Sequence, residues 1–159
     1  MQWLLDCGLI YKVKQVSKPF IPLTSYETNL FKVFIHDVGL LSTKSGLDVK
    51  TLLDGNRILE EFKGALTEQY VLQEMVASGI TPFYWSSNGT AEVDFVFKLG
   101  TEILPLEVKA EENLQSKSLK VFYEKYRPPV SLRTSMSDYR EESWLINIPL
   151  YAIGADFLI

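Results

Sequence analysis

The segment AEVDFVFKLGTEILPLEVKA, residues 91–110, constrains this chain more than any other part. Two runs of apolar and β-branched residues flank Gly100-Thr101, and a two-residue connection with Gly first is the type II′ hairpin turn. That turn sets Leu99 opposite Glu102 and, counting back along both strands, Asp94 opposite Glu107. Side chains so opposed have Cβ atoms about 5 Å apart, where two carboxylates repel unless a cation lies between them. Lys109, two residues beyond Glu107, points to that same face, while Leu106 and Val108 point to the other. The spacing predicts two carboxylates and an ammonium in one place. Hard oxygen donors of this kind suit Mg²⁺ or Mn²⁺, with Asp94, Glu107 and the backbone carbonyl of Val108 as ligands. Such a cation lowers the pKa of a water and stabilises a pentavalent phosphate, and a lysine beside it orients the water or neutralises charge. The competing reading of the same residues is a cross-strand salt bridge on a solvated face.

A third acid is expected if the metal reading holds, and the longest helix supplies one. From Arg57 to Ser78, Leu59, Phe62, Leu66, Val71, Leu72, Met75 and Val76 recur at helical spacing, and Gly79 is a fitting stop. Glu68 lies on the small and apolar face of that helix, near Gly64, Ala65, Val71 and Leu72, where a carboxylate needs a partner. After the helix come TPFYWSS, an Asn88-Gly89 turn, EVDFVFK and ILPLEVK as a three-strand meander. SLKVFYEKY reads as a helix stopping before Pro128-Pro129, VSLRTS as a further strand, and WLINIPLYAIG as the close. Helix, three strands, helix, strand is an α/β pattern. Ahead of it, Trp3, Leu4 and Leu5 lead to Gly8 and the alternating strand LIYKVKQV; Pro19 and Pro22 flank a linker; FKVFIHD reads as a strand and Val38-Gly39-Leu40-Leu41 as a short irregular or helical segment.

Composition narrows what such a domain can do. The chain has 159 residues, 47% of them hydrophobic, enough for one good core rather than two. With 16 basic and 20 acidic residues its net charge is -4, so contact with nucleic acid is expected to be local rather than drawn by a global field. One Cys and one His make neither a disulfide framework nor a zinc site, which fits a reducing cytoplasm. No apolar run is long enough to span a bilayer, and Asp6 interrupts the opening apolar stretch.

Glu68, Asp94 and Glu107-Val108-Lys109 fall in order on the motif of the PD-(D/E)XK phosphodiesterase superfamily: an acid on the first helix, an Asp on the second strand, E-x-K on the third. The chain resembles that superfamily, which implies a restriction-endonuclease-like core of helix, three-strand meander, helix and strand, with Glu68, Asp94, Glu107 and Lys109 as catalytic residues. More narrowly, FKVFIHDVGLL, EVDFVF, LEVKAEEN with SKSLKVF, and NIPLYAI resemble the domain of unknown function at the C-terminus of bacterial and archaeal AAA-type P-loop ATPases. That resemblance implies an ATPase module and a winged helix upstream. It divides the chain into the end of a winged helix at 1–18, a linker with a leading strand and short helical segment at 19–56, and the nuclease-like domain at 57–159. The function expected from it is metal-dependent cleavage of DNA by one part of a larger ATPase. The alternative is a catalytically inactive module that binds nucleic acid or a protein and regulates its ATPase.

Lys117, Lys120, Lys125 and Arg127 alternate with Phe122, Tyr123 and Tyr126. They read either as an ordinary amphipathic helix with a solvated lysine face or as a phosphate-contacting helix in which Ser116, Lys117 and Lys120 meet nucleic acid. The Lys-Ser ending of GLLSTKS is no phosphate loop, because Thr43 stands where Walker A needs Gly.

Overall fold

The computed structural model describes residues 1–46, 58–87, 90–110 and 115–154. Helix α1 (Gln2–Asp6) is followed by β1 (Ile10–Val16), β2 (Glu27–Ile35), α2 (Val38–Lys44) and the long helix α3 (Ile58–Ala77). Strands β3 (Phe83–Ser87), β4 (Ala91–Leu99) and β5 (Glu102–Val108) precede α4 (Lys117–Tyr126), β6 (Ser131–Ser135), β7 (Arg140–Glu141) and β8 (Leu145–Pro149). The Asn88-Gly89 turn and the end of the long helix at Arg57 lie outside the described residues. The fold class is α/β, built on one mixed sheet of eight strands in the order β2-β1-β3-β4-β5-β6-β8-β7. Neighbours β3, β4 and β5 run antiparallel, while β6 lies parallel to both β5 and β8, and β1 lies parallel to β3.

Local chemistry explains where these elements stop. Gly79 takes φ +74 at the end of α3. Its amide donates to Val76 O at 3.0 Å and the Ile80 amide donates to Met75 O at 2.9 Å, a Schellman closure that only glycine enters without strain. Asp37 caps α2 by accepting from the Leu40 amide at 2.8 Å. At the other end of the chain, α4 closes on Arg127 in the left-handed region and then meets Pro128-Pro129.

The sheet buries an apolar cluster on each face. On one side, Val71, Leu72 and Met75 of α3 pack on Phe34, Tyr84, Phe95, Phe97, Leu104 and Leu106. On the other, Leu119 and Phe122 of α4 pack on Phe83, Trp85, Val93, Val96 and Leu145. Regular alternation holds through β5, but β4 breaks it. Phe83 pairs with Val96 and Trp85 with Val93, so β4 carries an extra residue at this point. Val93 and Val96 therefore both face α4, whereas Phe95 and Phe97 face α3. Asp94 sits in this bulge.

Candidate functional site

The hairpin has the register that its turn chemistry predicts: Leu99 pairs with Glu102 and the ladder runs back to Phe95 with Leu106. Gly100 takes φ +58, as the first position of a II′ turn requires. Beyond Phe95 the two strands part. Asp94 Oδ2 accepts the Val108 amide at 2.8 Å, so a side chain holds the donor that a strand carbonyl would otherwise take.

That exchange determines where each acid lies. Strict alternation would set Asp94 and Glu107 side by side on one face. The bulge instead turns Asp94 toward the α3 side, where it feels Glu68 and Lys32. Glu107 follows Leu106 and neighbours Arg133 across the parallel pair, and this places it with Lys109 on the α4 side. The two carboxylates remain near enough across the splayed strand ends that the charge of Glu107 works against that of Asp94.

The electrostatics are those of an acid-rich site. Burial, then the charge of Glu68 and, more weakly, that of Glu107 push the Asp94 carboxyl up to about 7, against the opposing pull of the Val108 amide and Lys32. Lys109 Nζ lies 2.8 Å from Glu107 Oε1. The other oxygen, Oε2, is buried without a hydrogen-bond partner among the described residues, and Glu107 as a whole is 4% exposed.

Lys32 is the residue that reading the chain missed. It reaches from β2 to Glu68 Oε1 at 2.9 Å and to Glu92 Oε1 at 2.7 Å. Burial works against its charge, yet Glu68, Glu92 and Asp94 together raise its pKa above the ordinary lysine range. A signal existed: a lysine between Phe31 and Val33 in an apolar strand is the same anomaly that marks Asp94. Glu68 therefore enters the site as part of an ion pair.

Among the described residues no three Asp, Glu, His or Cys side chains converge closely enough to form a closed metal cage. The donors present are two carboxylates, one with a buried and unpartnered oxygen. That set fits Mg²⁺ or Mn²⁺, since Mg²⁺ in particular commonly uses one or two carboxylates and completes its shell with water and substrate phosphate. Ser116, Lys117 and Lys120 lie at the start of α4 beside Arg133, with Ser116 Oγ accepting from Arg133 Nη1 at 3.3 Å. No helix among the described residues is long and apolar enough to cross a membrane.

The family described as Domain of unknown function (DUF4143) matches residues 63–152, more than half of the chain. No curated protein and no solved structure matches.

Proposed function

The chain belongs to the DUF4143 family, and we propose that it is a metal-dependent nuclease-like phosphodiesterase domain acting on DNA, with a PD-(D/E)XK core formed by α3, β3–β5, α4 and β6. The observation that carries this reading is the surplus of negative charge at the splay of β4 and β5. Asp94 is held half-buried against Glu68 and Glu107, and Glu107 keeps an oxygen with no partner among the described residues. A carboxylate pair that exists only to support the fold has no need of this repulsion. A divalent cation bound there would supply an activated water and charge for a phosphodiester's developing oxyanion. Asp94 and Glu107 would hold it, with the Val108 carbonyl as a further donor; the Val108 amide fixes Asp94, and Lys109 orients the water or steadies the phosphate. The order α3, antiparallel meander, α4 and a strand parallel to β5 supports the core assignment. The sequence phrases shared with C-terminal domains of AAA-type ATPases support a place downstream of a winged helix and an ATPase in the cytoplasm. A Walker A motif in the upstream coding sequence is the check on that.

Thermal melts with and without Mn²⁺, run beside a plasmid-nicking assay, test the chemistry. Wild type should gain stability with Mn²⁺ through mass action. Asp94→Asn should lose that gain, and Lys109→Ala should keep it while losing cleavage. Absence of any Mn²⁺ shift in intact wild type removes the metal site. A shift without cleavage of DNA or RNA favours the second reading, a non-catalytic module regulating its ATPase; the lysines already seated on Glu68 and Glu107 are the observation in its favour.

A further inference from the structure

A second concavity opens on the α4 side of the sheet, next to the acids. It has a volume of about 390 Å³, and its walls include Ser116, Lys117, Lys120, Arg133, Glu142 and Trp144. A protein of net charge -4 here gathers three cations around one hollow, with Glu142 as the acid among these residues. Glu142 is turned to Arg140, whose Nε lies 3.3 Å from its Oε1.

The floor is preorganised. Arg133 is 2% exposed, its Nε donates to Asn147 Oδ1 at 2.9 Å, and its Nη1 donates to Ser116 Oγ. Ser135 Oγ donates to the same Asn147 oxygen at 2.8 Å, and Asn147 in turn donates to the Asp138 carbonyl at 2.9 Å, so a chain of hydrogen bonds helps to fix the guanidinium. Ser116 accepts from Arg133 and makes no side-chain cap bond to α4, and the positive end of that helix adds to the field. A buried guanidinium is costly, and burial lowers its pKa while Glu142 and Glu107 sustain its charge. Lys117 and Lys120 stand exposed at the rim. Glu107 and Arg133 are paired neighbours on β5 and β6, so this hollow adjoins the acids directly.

We propose that this hollow binds a phosphate of the nucleic-acid strand next to the one presented to Asp94 and Glu107, with Arg133 as its fixed floor and Lys117 and Lys120 as its rim. The proposal rests on the nuclease-like reading for the identity of the strand. Its role is register: a planar guanidinium seats one phosphate, and the neighbouring phosphodiester then lies at the acids. The indole of Trp144, tilted against Tyr123 with ring centroids 5.2 Å apart, forms an apolar wall suited to the adjoining sugar or base.

The test is fluorescence anisotropy in EDTA with a short 3′-labelled oligodeoxythymidine, carrying either a 5′-phosphate or a 5′-hydroxyl, titrated against salt. Lys117→Ala/Lys120→Ala changes only exposed residues and should weaken binding about tenfold at low salt, lowering the salt slope by about 1.4. Arg133→Lys, checked for folding by its melt, should weaken binding further through loss of the fork. A loss confined to the 5′-phosphorylated strand assigns the hollow to a terminal phosphate; equal losses assign it to an internal one. An unchanged affinity and salt slope in the double variant overturns the proposal. The Mn²⁺ melting shift reports the acids separately: the double variant should retain it, and a wild type lacking it but still binding the strand through Lys117 and Lys120 loses the metal site while keeping the hollow.

Discussion

Asp94 is the residue on which the proposed chemistry turns, and its protonation is set by position. In an unfolded chain its carboxyl titrates near 3.8, whereas the folded site pushes it up to about 7. The folded state therefore binds more protons than the unfolded state between those values, and this residue's contribution to stability is fully present below the lower pKa and lost as pH rises through the upper one. Without metal, Asp94→Asn should stabilise the protein by about 1–2 kcal/mol at pH values above 7 and make little difference near pH 4. Urea unfolding across that range measures it. Because the asparagine oxygen still accepts the Val108 amide, a substitution without effect on stability at any pH would mean that burial and the neighbouring acids do not raise the Asp94 carboxyl. Lys32 has the complementary role: it offsets Glu68 and Glu92 and only partly offsets Asp94.

At the scale of elements, the placement of Glu68 depends on how α3 is fastened to β2. Strand β2 forms one end of the sheet, where unpaired backbone groups invite pairing with other chains. Helix α3 covers its end with amide side chains. Gln69, 1% exposed, accepts from the Ile35 amide at 3.0 Å and donates to the Ile35 carbonyl, and Gln73 accepts from the Val38 amide at 3.1 Å. These bonds fix the helix's rotation, and with it the direction of Glu68 one residue earlier. Gln69→Leu leaves a buried donor and acceptor unsatisfied and should cost about 2 kcal/mol, read from the shift of the urea midpoint at constant slope. A cost near zero would show that water replaces the amide and that packing alone holds α3 in place.

For the whole molecule, the relevant fact is that one sheet joins parts far apart in sequence. The family match begins at residue 63, yet β1 and β2 pair into the same sheet and supply Lys32 to the acid site. Val13, Val16, Leu23 and Phe34 lie in the two cores. Deleting residues 1–37 removes these side chains and uncovers the flank of β3 that pairs with β1. The shortened chain should lose cooperative unfolding in circular dichroism melts and associate through its exposed strand. A shortened chain with a sharp transition and a Mn²⁺ response matching wild type would show that β1 and β2 are dispensable.

What the sequence determined by itself was what local chemistry controls. The Gly100-Thr101 turn sets the hairpin register, glycine at 79 ends the long helix, Pro128-Pro129 ends the next, and apolar spacing names α3 and its buried Val71, Leu72 and Met75. Charges set in apolar strands marked Asp94, Glu107 and Lys109, because strands of that composition reject them without a reason. Tertiary structure alone decided the rest. The bulge at Asp94 is visible only against β3, since an extra residue has no meaning until a partner strand fails to match it. The pairing of Lys32 with Glu68, 36 positions apart, and of Arg133 with Ser116, 17 apart, needs the sheet to be assembled first. Periodicity reports which face a side chain takes on its own element. Which charge waits across the gap follows from strand order, and for β2, β1 and β6 that order was set by packing on both faces of the sheet.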